Sequence, residues 1–138
     1  MIRTEHIKLR TAGNSDIVDI TDRVAAAVHQ SQIGDGIVTV FVAGSTASLT
    51  TIEYEPGLVQ DMQELLECVV PAGKPYHHDL RWGDANGYSH VRASLIGPSL
   101  TIPLEAGRLT LGTWQQIVLI DMDNRPRQRE IVVQIMGD

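Results

Sequence analysis

Residues 2–10 divide into two alternating sets that are not cleanly amphipathic, with Ile2, Thr4, His6 and Lys8 on one side and Arg3, Glu5, Ile7 and Leu9 on the other. That period predicts a strand. After the turn signal Ala12-Gly13-Asn14-Ser15, Asp16–Ile20 predicts a second. Thr21 then offers a helix N-cap, with Asp22 in the first turn. Val24, Ala27, Val28 and Ile33 carry a helical stripe through Thr21–Gln32, and Gly34-Asp35-Gly36 stops it. The continuous β-branched and aromatic run Ile37–Val42 predicts a buried strand. A small-residue turn over Ala43–Ser48 follows, and Leu49–Ile52 resumes strand character. Leu58, Met62, Leu65, Leu66 and Val69 predict a second helix, which Pro71 ends. Pro71–Ser89 has no clear period. From His90 the pattern predicts strands at His90–Ile96, Leu100–Pro103, Arg108–Leu111, Gln115–Asp121 and Glu130–Met136. The turns between them are Gly97-Pro98, Glu105-Ala106-Gly107 and Asp123-Asn124-Arg125-Pro126. The sum is one α+β domain over residues 1–138, a β-rich sandwich of mostly antiparallel strands with two helices in the N-terminal half.

Composition narrows this further. Hydrophobic residues are 43% and aromatics only 4%, so the core must be built from Val, Ile, Leu and Ala. Cys68 is the one cysteine, which excludes an intrachain disulfide and any zinc site needing two cysteines from one chain. It follows an apolar helical pattern and is expected to be buried. The net charge of −6 argues against a nucleic-acid partner. No apolar run is long enough to span a membrane and no signal-peptide pattern opens the chain, so a cytoplasmic location is expected.

Candidate chemistry concentrates in His77–His90, where three of the five histidines fall among two aspartates, an asparagine and an arginine. A loop of this length is either functional or disordered, and Tyr76, Trp82 and Tyr88 call for burial. If His90–Leu95 is a strand, His90, Arg92 and Ser94 share one face, giving a base or ligand, an anion clamp and a hydroxyl in line; a solvated sheet face is the plainer alternative. His78, His90 and a carboxylate from Asp79, Asp84 or Glu53 would suit a divalent metal such as zinc or magnesium. The alternative places His77 at the surface and His78 on loop backbone. Asp84 and Asn86 either form a tight turn or orient His90. Ser45 and Thr46, in a turn of small residues, could cradle a phosphate through free N–H groups, or form a plain turn. Arg81, Arg92 and Lys74 are the cations available for an anionic substrate. Trp114 is expected in the core or at a subunit interface.

These residues resemble the YjbQ-like family. The likeness rests on Gly83-Asp84-Ala85-Asn86 followed by His90, on Ser94-Leu95-Ile96-Gly97-Pro98-Ser99, on Gly107-Arg108-Leu109 and on Gly112-Thr113-Trp114-Gln115-Gln116-Ile117. Ser45-Thr46-Ala47, Glu53, Asp61–Cys68, Pro71 and Tyr76–His78 extend it toward the N-terminus. The resemblance implies a homotrimer with a histidine-lined pocket near the subunit interface. It also implies a secondary thiamine-phosphate synthase activity, a transferase reaction that joins a pyrimidine methyl diphosphate to a thiazole phosphate and releases diphosphate. Many members carry a histidine just before the Ser/Thr-Thr-Ala turn. Here Gly44 stands there, so His78 and His90 need a carboxylate or water to complete a metal site. His90 would act as acid/base or ligand, Asp84 and Asn86 as orienting groups, and Arg92 with Ser45, Thr46 and Arg81 as contacts to a small phosphorylated metabolite. The competing reading is a non-catalytic trimer that binds a metal or an anionic metabolite.

Overall fold

A computed structural model describes residues 1–138. Its strands form two antiparallel sheets. The larger holds β1 (Ile2–Thr11), β8 (Arg127–Gly137), β3 (Gly36–Val42), β5 (Ser99–Glu105) and β6 (Arg108–Leu109), in that spatial order. The smaller holds β2 (Asp16–Asp19), β7 (Gln116–Asp121) and β4 (Ala47–Ile52). The fold is α+β, as the chain pattern predicts, with helices α1 (Thr21–Ser31), α2 (Pro56–Val69), α3 (His77–Trp82) and α4 (Gly87–Ile96).

Burial explains the layering. Val38, Val40 and Val42 of β3 and Ile131, Val133 and Ile135 of β8 face inward. They meet Ala47, Leu49, Ile117 and Leu119 of the smaller sheet, with Val24, Ala27 and Val28 of α1 closing one side. Ile17, Val118, Ile120 and Met122 form a second cluster on the other face of the smaller sheet, under Leu66 of α2 and Ala93 of α4. β7 is therefore buried on both faces, which is why Ile117 to Ile120 run apolar without alternation. The run Ile37–Val42 predicts a two-faced buried strand as well. There Ile37 and Phe41 are instead exposed, because nothing covers that face of the larger sheet.

Local signals set the helix ends. α2 begins earlier than its apolar stripe suggests: the Glu55 carboxylate accepts from the N–H groups of Gly57 and Leu58, both at 2.8 Å, with Pro56 at the first helical position. Those two hydrogen bonds, Gly57 first, lower the Glu55 pKa. Thr21 does not cap α1. Its hydroxyl donates to Asp19 at 2.6 Å and accepts from the Ile117 N–H at 2.9 Å, pinning the helix start to the smaller sheet.

The main departure lies at residues 90–96. The expected strand is α4, because Tyr88, Ser89, Arg92 and Ala93 are buried at helical spacing while Val91 and Leu95 are exposed. The irregular stretch before it contains the short α3, which ends at Gly83 with φ +68°. Cys68, Trp82 and Trp114, expected inside, are exposed on the isolated chain, and a core role for Trp114 falls with that. Tyr88 is buried as expected.

Candidate functional site

The helix at residues 87–96 separates residues that a strand would have aligned. His90 and Arg92, about 200° apart around a helix, face different surroundings. Arg92 is buried and committed: its Nε donates to the Val70 carbonyl at 2.9 Å, Nη1 to Ser15 Oγ at 3.1 Å and Nη2 to Glu67 at 2.6 Å. All its nitrogens have acceptors, so it ties α4 to α2 rather than waiting for a substrate. Ser94 donates to the His90 carbonyl, an ordinary helical back-bond.

His90 instead turns toward α3. Its ring stacks on His78 with centroids 4.5 Å apart and planes tilted 36°. His78 Nδ1 lies 3.2 Å from Asp79 Oδ1 and 3.6 Å from Asp84 Oδ1. One ligand atom each from His78, Asp79 and Asp84 lies within 4.8 Å of the others. Gly87 makes this possible: a Cβ there would lie 2.8 Å from Tyr76 Cβ and 3.0 Å from Asp79 Oδ1. Its N–H donates to Asp79 Oδ1 at 2.9 Å, so that carboxylate also caps α4. Burial lowers the His90 pKa, and the neighbouring His78 lowers it further, against the pull of Asp123 and Asp84. A neutral imidazole offers a lone pair to a proton or a metal.

Behind the histidines runs an ion-pair network, of which the chain pattern had marked Asp123 only as part of a turn. Asp121 and Asp123 are fully buried. Arg129 holds Asp121 in a two-pronged pair, Nε at 2.7 Å and Nη2 at 2.9 Å. Arg127 Nε donates to Asp123 Oδ2 at 2.7 Å. Thr46 Oγ1 links the pairs, donating to Asp123 at 3.0 Å and accepting from Arg129 Nη2 at 2.6 Å. Asn86 Nδ2 donates to Asp123 Oδ1 at 3.3 Å, and Asn124 Nδ2 donates to the Asp84 carbonyl at 2.9 Å. Burial pushes the Asp123 pKa up, but hydrogen bonds from Arg127, the Asn124 N–H, Asn86 and Thr46 outweigh it and hold the carboxyl at about 2.

Thr46 and Asn86 thus meet at Asp123, while Asp84 lies beside His78, on which His90 stacks. Glu53 is exposed past the end of β4 and lies outside the cluster of His78, Asp79 and Asp84. Arg81 lies over the Trp82 ring at 4.9 Å on the exposed side of α3. Ser45 lines a cleft of about 360 Å³ with Phe41, Gly44, Ala93, Ser94 and Pro98. Asp121, Asp123, Arg127 and Arg129 are the residues sequence reasoning missed. Their signal was present: Arg127 and Arg129 share the inward-facing side of β8 with Ile131 and Val133, where an unpaired charge would be costly.

The architecture is that of a two-sheet α+β sandwich, with an imidazole–carboxylate cluster on its helical layer and buried ion pairs behind it. The chain belongs to the UPF0047 YjbQ-like family, whose match covers residues 5–138. It is 40% identical to a UPF0047 protein of Archaeoglobus fulgidus over 94% of this chain and 98% of that one. A UPF0047 protein of Methanothermobacter thermautotrophicus is 38% identical over 99% and 93%. Among solved structures, a YbjQ-like protein of unknown function from Sulfolobus solfataricus P2 superposes with TM-score 0.95 at 34% identity, covering 100% of this chain and 99% of that one. A hypothetical protein from Aeropyrum pernix K1 superposes with TM-score 0.92 at 31% identity, covering 99% of each. No helix is long and apolar enough to cross a membrane.

Proposed function

We propose that the protein is a metal-assisted enzyme acting on a small phosphorylated metabolite, with thiamine-phosphate-synthase-type transfer as its reaction. The reading is carried by one observation: His78, Asp79 and Asp84 bring ligand atoms within 4.8 Å of one another, and His90 stacks against His78. One imidazole and two carboxylates suit a divalent ion of the zinc, manganese or magnesium type. The buried Asn86 Oδ1 has no partner within the chain, which fits a group supplied from outside. A bound divalent ion would supply Lewis-acid stabilisation of a diphosphate leaving group. The chain's own part is to keep His90 neutral for proton transfer, and to hold Asn86 against Asp123 so that its amide orientation stays fixed.

The test is diphosphate release from a pyrimidine methyl diphosphate and a thiazole phosphate by purified protein, compared with His90→Ala. Release by the wild type that is lost in the variant supports the reading. Saturable metal or metabolite binding without any product supports the non-catalytic binding protein instead.

The same reading includes self-association as a homotrimer. Leu65 and Val69 of α2, Leu80 and Trp82 of α3, and Val91 and Leu95 of α4 are all exposed, so the three helices offer apolar side chains that an assembly would cover. Light scattering should return three times the chain mass, and Leu95→Glu should lower it. A monomeric wild type would refute the assembly.

A further inference from the structure

The turn at residues 44–46, whose Gly44 and Ser45 line a cleft, carries donors that the chain leaves without acceptors. The N–H groups of Gly44, Ser45 and Thr46 make no hydrogen bond to backbone or side chain. Arg129 is only 8% exposed. Its Nε and Nη2 are engaged by Asp121 and Thr46, while Nη1 has no acceptor. That Nη1 lies against the face of Gly44 where a side chain would stand, 2.8 Å from the place of its Cβ. Gly44 has no positive φ to explain the residue type. The absent side chain is what leaves the guanidinium uncovered, and Gly44 and Ser45 form part of the wall of the 360 Å³ cleft.

We propose that Gly44, Ser45, Thr46 and Arg129 form a phosphate-binding subsite, in which three successive N–H groups and Arg129 Nη1 hold the oxygens of a phosphate ester or diphosphate. Consecutive amides are a recurrent anion cradle, and a guanidinium already fixed by a carboxylate loses little freedom on binding. The Asp121–Arg129 and Asp123–Arg127 pairs are each neutral, so they present an added anion with no excess of buried negative charge. The proposal rests on the reading of this region as a site for phosphorylated metabolites and gives that substrate a binding place independent of the metal.

The experiment titrates inorganic phosphate into the full chain by calorimetry, in EDTA and then with zinc, for wild type and Gly44→Ala. Saturable binding in EDTA is expected, weakened about tenfold in Gly44→Ala, the loss of one charge-assisted hydrogen bond. In wild-type ¹⁵N spectra the amides of Gly44, Ser45 and Thr46 should shift on phosphate addition, a readout that holds even if the variant folds poorly. Equal binding by Gly44→Ala overturns the subsite. So do amide shifts confined to other residues. Binding that needs zinc also overturns it, while sparing the metal-assisted reading. Phosphate binding in EDTA by a chain that takes up no zinc keeps the subsite and removes the metal. No binding under either condition removes the subsite and the phosphorylated-substrate reading together.

Discussion

Replacing Asp123 with asparagine tests whether the buried network supports the site as well as the fold. The carboxylate accepts from Arg127, Thr46, Asn86 and the Asn124 N–H. The side-chain amide introduced by Asp123→Asn would face these donors with an N–H₂ group of its own and leave Arg127 without its counter-charge. Removing one member of a buried pair costs about 3 kcal/mol. The wild-type carboxyl ionises at about 2 rather than at 3.8. Its folded pKa is therefore lowered, so its stabilisation is complete above 3.8 and lost as pH falls toward 2. That difference corresponds to about 2 kcal/mol. Urea unfolding followed by circular dichroism at pH 7, then in steps down to about pH 2.5, reads both effects. The variant should be less stable at pH 7 by about 3 kcal/mol and should show a shallower loss of stability on acidification. A loss below about 1 kcal/mol at pH 7, or an acid limb matching the wild type, refutes the assignment of Asp123 as a buried, ion-paired anchor.

The same geometry sets three further expectations. Leu119 is fully buried between the sheets, so Leu119→Ala should cost about 2–5 kcal/mol in urea unfolding; a cost near zero would contradict the layering. Gly13 has φ +74° and a Cβ there would collide with the Arg125 carbonyl, so Gly13→Ala should destabilise by at least about 1 kcal/mol and lower Tm; an unchanged Tm would place the turn elsewhere. The His90 ring should titrate below 6.5 by NMR, and lower again in Asp123→Asn because Asp123 favours the charged ring. With the neutral form preferred in the folded chain, His90 leaves stability intact above 6.5 and reduces it below, and a midpoint above 6.5 would reverse that sign.

The strands at 37–42 and 116–121 were readable from their continuous apolar runs, although only Ile117–Ile120 is buried on both faces, whereas in the first run Val38, Val40 and Val42 are buried and Ile37 and Phe41 are not. The helix at 87–96 was not, because His90–Leu95 alternates polar with apolar and fits period 2. Its true buried set of Ser89, Arg92 and Ala93 is too polar to stand out at helical spacing. α3 was hidden by its six-residue length and by a sequence rich in polar groups. The histidines and Asp84 stood out by composition alone, and the fold brings His78, His90 and Asp84 together. The ion pairs did not, because Asp123 lies among turn residues and only the folded chain brings it to Thr46 and Asn86, 77 and 37 positions away. The same helix error made Arg92 look like a free anion clamp, when its partners Glu67 and Val70 sit at the end of α2.

The most direct test of the central claim is zinc titration of the metal-stripped chain by calorimetry, beside His78→Ala. About one zinc per chain is expected in the wild type and its loss in His78→Ala, with circular dichroism unchanged. No zinc uptake by the wild type, or equal uptake by His78→Ala, would contradict a metal site at His78, Asp79 and Asp84.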